Sequence, residues 1–260
     1  MPIMLVKNSN VDLAYEMNLR PLWRQAFRPF FLAGSLFSVI ALLIWVGSLT
    51  GNIQFSPYGH LFFWHAHEML FGFVGAIITG FLLTAVQNWT GFRSTHGLAL
   101  KIIFSLWLAA RILMAINIAN LQWLTAVIDF AFFPMVAIFM AQLVLASKNY
   151  RNLFFVPVLG LLAAANFATH WSLYRPQSQF FEWGIHSAIL LSSLLMVVIG
   201  GRVIPMFTAG GTNTTKTSPL AWLEYTVLGS MWLIVILYVT RISDYLPQVL
   251  LAALFAVAAV

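Results

Sequence analysis

Cysteine is absent from this chain, which removes a disulfide framework, an iron–sulfur cluster, a thiolate-ligated haem, a covalent c-type haem and a cysteine nucleophile together. Any metal it holds is bound by nitrogen, oxygen or thioether sulfur. Charge is scarce as well: 8% of the 260 residues are charged, while 61% are hydrophobic. A water-soluble domain of this length cannot bury so much apolar surface, so the composition places the chain in a bilayer. The formal net charge of +6 comes from basic residues scattered singly, which fits membrane loops obeying an orientation rule and argues against a nucleic-acid partner. A Walker loop, a dinucleotide fingerprint and an HExxH zinc signature are all missing; His65-Ala66-His67-Glu68 has the wrong spacing for the last.

What is present is a series of long apolar runs. A spanning helix needs about 20 mostly apolar residues. Seven stretches qualify: Phe30–Thr50, Leu61–Asn88, Leu98–Ala119, Trp123–Ala146, Leu153–Trp171, Gly184–Phe207 and Leu220–Thr240. A partial eighth runs over Leu246–Val260 and stops inside an apolar run, so the chain is expected to be a piece of a longer protein. The fold class is therefore all-α, a polytopic transmembrane helix bundle. Residues 1–29 form an amino-terminal segment without the apolar core of a signal peptide, its Leu19–Phe30 part basic, aromatic and suited to the membrane surface. Residues 30–260 form the transmembrane domain.

Orientation follows from Lys and Arg on alternate sides. Lys7, Arg20, Arg24, Arg28, Arg93, Lys101, Lys148, Arg151 and Lys216 share one side, and only Arg175 and Arg241 fall on the other. That split predicts a cytoplasmic amino terminus. Arg111 and Arg202 fall within helices.

This orientation puts His60, His65, His67, Glu68, His170, Glu182 and His186 near the outer ends of their helices, with Arg111 and Asp129 at a similar depth. Buried unpaired charge in lipid is costly, so such groups face a protein interior, pair with one another or bind something. His60 and His96 read as hydrogen-bonders at helix ends, and Arg111 with Asp129 as an ion pair or part of a site. His65, His67, His170 and His186 read as a candidate site, because they share a depth across three helices. Imidazole is the preferred protein ligand for haem iron and for copper, and its second nitrogen needs an acceptor such as Glu68. Met69 adds a thioether.

On a regular helix His65 and His67 point about 200° apart, so both cannot ligate one metal. Beneath His65 run Met69, Gly72, Ala76 and Thr79, a small-residue stripe that admits a neighbouring helix or a flat macrocycle and predicts that His65 points inward. Beneath His67 lie Phe71, Val74, Ile78 and Phe81, suited to a pocket wall or to lipid. In the sixth span, Gly200-Gly201-Arg202 followed by Pro205 predicts a weakened or broken helix, with Arg202 free to turn toward an anion.

Four motifs in order resemble the NnrS family: Pro21-Leu22-Trp23-Arg24 with Ala26-Phe27-Arg28-Pro29-Phe30-Phe31; Trp64-His65-Ala66-His67-Glu68-Met69-Leu70-Phe71-Gly72-Phe73; Gly80 to Val86 with Asn88-Trp89-Thr90-Gly91; and Gly200 to Pro205 with Phe207-Thr208. The resemblance implies a multi-pass protein of the bacterial inner membrane that carries haem b and copper. It also implies a part in the nitric oxide response, denitrification and resistance to nitrosative stress. Family proteins have about twelve spans, so this chain corresponds to the amino-terminal two thirds.

Position assigns the roles. His65 or His67, with His170 or His186, supplies axial or copper ligands; Glu68 orients an imidazole; and Arg111 or Arg202 balances a propionate. The expected partners are nitric oxide and the lipid bilayer. Two alternatives stay open: a transporter with an intramembrane His/Asp/Arg site, and a non-catalytic sensor or metal-handling subunit.

Overall fold

The computed structural model describes residues 18–215 and 220–258. The basic residues Lys7 and Lys216, most of the amino-terminal segment and the last two residues of the eighth apolar stretch lie outside them. The described residues are helical, with no strand among them. Seven helices are long and apolar enough to cross a membrane: α1 (Phe27–Leu49), α2 (Leu61–Thr90), α3 (Gly97–Ile116), α4 (Gln122–Ser147), α5 (Phe155–Tyr174), α6 (Phe180–Thr212) and α7 (Ala221–Val239). A shorter apolar helix, α8 (Gln248–Ala258), follows. The chain is thus a polytopic helical bundle, as the apolar runs predicted, with helix ends displaced by a few residues.

Local chemistry explains the ends. His60 caps α2, its Nδ1 accepting from the Phe63 N–H at 3.1 Å, which is the end-capping role read for it. Gly91 closes α2 in the left-handed conformation at φ 70°, where a residue without Cβ is unstrained. Asn117 and Lys148 close α3 and α4 with positive φ in the same way.

Two expectations change. The sixth span does not break: α6 is continuous from Phe180 to Thr212 through Gly200, Gly201 and Pro205. Proline forfeits a single backbone bond, whereas stopping the helix would strand a whole turn of polar groups, and apolar surroundings penalise the second far more. The second span is not uniformly α-helical either. Glu68–Val74 is π-helical, flanked by α-helix on both sides.

The chain divides into two compact units, Met1–Ile185 and His186–Val260. In the first, α1 packs on α2, α2 and α3 on α4, and α4 along α5. The small-residue stripe of α2 is a helix-packing device: a Cβ added at Gly80 would sit 2.9 Å from Phe30 Cβ, and the Ala76 methyl meets Gly34. Aromatic side chains fill the middle, with Phe30 against Phe104, Trp107 and Phe132, and Phe71 against Phe133. In the second unit α7 packs against α8.

Candidate metal centre

The π-helical turn shapes the site. Buried positions on α2 recur in pairs four residues apart, His67/Glu68, Phe71/Gly72 and Gly75/Ala76, before the ordinary helical spacing resumes at Thr79. A wider i→i+5 turn accommodates that spacing and is frequent where a helix carries function. Its carbonyl at Gly72 accepts from Trp107 Nε1 at 2.9 Å. His67 is fully buried on the face of the helix that meets the polar cluster, while His65, on the same side as the small-residue stripe below it, packs against α1 and stacks on Trp45 with ring centroids 3.8 Å apart. The inward direction predicted for His65 thus leads to α1 and not to the cluster.

Around His67 a network closes from four helices and a loop. Its Nδ1 lies 3.3 Å from Glu68 Oε1, which also accepts from Arg111 at 2.7 Å. The Arg111 guanidinium reaches across to Asp129 Oδ1 with its other terminal nitrogen. Asp129 Oδ2 accepts from Asn166 Nδ2 at 2.7 Å and lies 3.0 Å from His170 Nε2. His67 Nε2 stands 3.2 Å from the same oxygen, yet off the line that a hydrogen bond requires, and has no hydrogen-bond partner. His170 Nδ1 meets the Tyr58 hydroxyl at 3.1 Å. Burial, and secondarily the charge of Tyr174, pushes the Tyr58 phenol well above its ordinary range, so its O–H is retained and available to donate.

One ligand atom from each of His67, Asp129 and His170 lies within 4.8 Å of the other two, and all three residues are buried. Each imidazole thus presents Nε2 to a common point while its Nδ1 is held by another residue, Glu68 for His67 and Tyr58 for His170. Metal-binding histidines are oriented in that way. Charge is compatible with a cation too: Glu68 and Asp129 share one guanidinium, and two buried carboxylates with a single cation are costly unless a proton or a second cation joins them.

Arg111 and Asp129 form the ion pair that was one of the two readings, and Asp129 also belongs to the candidate group with His67 and His170. Asp129 stands among the ligand atoms rather than behind them. Of the other candidates, Met69 is half-buried and packs on the apolar cluster of Ala41, Tyr58, Phe63, Trp64 and Met114. His65 keeps a buried Nδ1 without a partner. In the second unit, His186 is exposed and bonds the Tyr238 hydroxyl at 2.9 Å, and Arg202 is half-buried within α6. His96 Nδ1 lies 2.7 Å from the Ser94 carbonyl, a local contact at the start of α3. Sequence reasoning missed Tyr58 and Asn166. Asn166 was legible, being a polar residue inside an apolar span one helical turn before His170; Tyr58, in a loop, carried no signal.

A bundle of membrane-spanning length with a buried His/Asp/His cluster defines the class: a polytopic helical membrane protein with a candidate metal centre. The model of the NnrS family, described as NnrS protein, matches residues 21–260, and the chain belongs to that family. No curated protein and no solved structure matches it.

Proposed function

We propose that this protein binds a metal ion at His67, Asp129 and His170 and serves the nitric oxide response that its family name implies. The observation that carries the reading is His67 Nε2, buried, without a hydrogen bond, and 3.2 Å from the carboxylate oxygen that His170 Nε2 also approaches. A buried imidazole nitrogen without a partner beside a carboxylate is unfavourable, and a cation that both ligate removes that cost. Copper, the metal implied by the resemblance, accepts imidazole and carboxylate donors. Two histidines and one carboxylate are equally the donor set of non-haem ferrous sites, which makes iron the second reading.

Haem does not fit this centre. A porphyrin placed between the two imidazoles would pass through the Asp129 carboxylate that both approach. Arg111 is taken up by Glu68 and Asp129 and not by a propionate.

The chain's own residues do the following. Glu68 and Tyr58 fix the ring orientations, and Tyr58 follows either tautomer of His170 because a hydroxyl both donates and accepts. Arg111 offsets the carboxylate charge, and Asn166 holds Asp129. Burial keeps water from the cluster. A reduced metal bound there supplies a coordination position for nitric oxide, a small neutral molecule that partitions into lipid. An inner-membrane location with a cytoplasmic amino terminus, and a single transmembrane domain from residue 30 onward, complete the proposal.

Metal analysis and electron paramagnetic resonance of the full chain in detergent, with and without nitric oxide, test it. Stoichiometric copper or iron is expected in the wild type and is lost in His67→Ala and in His170→Ala, with helical content retained. Equal metal in both variants and the wild type would overturn the assignment. A colourless, metal-free wild type that drives uptake into vesicles would favour a transporter.

A further inference from the structure

The α4–α5 seam carries two apolar recesses in succession, of about 280 Å³ and about 480 Å³, both open to the surroundings and the larger one the shallower. The smaller is bordered by Trp123, Ala126, Trp171 and, at its inner wall, His170. The larger lies further along the same helix pair, between Pro134 on α4 and Gly160, Ala163 and Ala164 on α5. Phe130 and Phe167 line both, their rings edge to face with centroids 5.9 Å apart. Nothing lies within 4 Å of where a Gly160 Cβ would stand, so small residues leave the seam open. From Gly160 to His170 the seam runs about 15 Å along α5.

Resting on the metal-centre reading above, we propose that this seam is the entry path by which a small uncharged diatomic such as nitric oxide passes sideways from the bilayer to the centre. The occupant follows from the walls. Both cavities are almost wholly apolar, so they offer a quinol head group or an anion no hydrogen-bond partners and would strip either of its solvation. A diatomic needs neither. The path also ends in the right place. His170 lines the smaller recess and belongs to the candidate ligand group, with its two nitrogens on Tyr58 and Asp129.

The test blocks the seam at half-buried or exposed alanines outside the candidate ligand group. In Ala126→Phe and Ala164→Phe, carbon monoxide association with the reduced, metal-loaded protein in nanodiscs should slow roughly tenfold. Dissociation should slow by the same factor, so that affinity and spectrum stay unchanged, as befits a path and not a ligand. Phe167→Ala, which joins the two cavities, should speed both rates. Wild-type rates in both phenylalanine variants would overturn the path.

A second readout needs no metal. Xenon under pressure should occupy the seam of metal-free protein, as it does other apolar cavities, and be displaced in Ala126→Phe. A seam filled by a lipid acyl chain with no xenon signal would overturn it. Absence of metal from the wild type with xenon bound in the seam would instead sink the metal-centre reading and leave the cavity as described.

Discussion

His170 Nε2 lies 3.0 Å from Asp129 Oδ2, although the two residues are 41 apart in sequence and sit on different helices. Asp129 also joins Arg111 and approaches His67, so one carboxylate links four of the first unit's helices.

His65 and His67 separate cleanly. His67→Ala should abolish metal binding, whereas His65→Ala removes a ring stacked on Trp45 and should leave metal content unchanged. Metal-to-protein ratios of the two purified variants decide this, and the reverse result would restore His65 as the ligand.

Gly72 is a spacing requirement. A Cβ there would stand 2.5 Å from an Arg111 guanidinium nitrogen and 3.2 Å from Glu68 Oε2. Gly72→Ala should destabilise the protein by about 1–3 kcal/mol, as overpacked interiors do, and lower metal affinity by displacing the arginine. Thermal unfolding in detergent together with metal titration would measure both effects.

Arg111→Met leaves two buried carboxylates without their cation and should cost about 3–5 kcal/mol. Adding Asp129→Asn should recover part of that loss, because the second change removes a stranded charge. A double-mutant cycle on denaturation free energies measures this coupling; strict additivity would show that the pair does not act as a unit.

Tyr58 sets an alkaline limit. Its phenol is held above the ordinary range when folded and ionises near pH 10 when unfolded. The unfolded state therefore releases a proton first, and stability that is present below about pH 10 falls as pH rises further. In Tyr58→Phe this part of the alkaline loss should disappear, as read by denaturation at a series of pH values.

Much of the membrane architecture was legible because it depends on length and apolarity alone, properties a helix displays without reference to its neighbours. Leu61 begins its helix where the apolar run begins, and Asp129, Arg111 and His170 stood out as polar groups inside apolar spans. Arg202 with its glycines and Pro205 looked like a break because local propensity was read without the cost of stranded backbone groups.

The sequence by itself determined that the chain is a helical membrane protein without thiolate chemistry and with a few costly polar groups among its spans. Only the tertiary structure decided which of them meet. Helix packing brought Asp129, His170, Asn166 and Tyr58 to the cluster around His67 and set His65 against α1 instead. The reason is physical: apolarity is additive along a chain, whereas the direction in which a side chain points depends on every turn of helix between it and its neighbours.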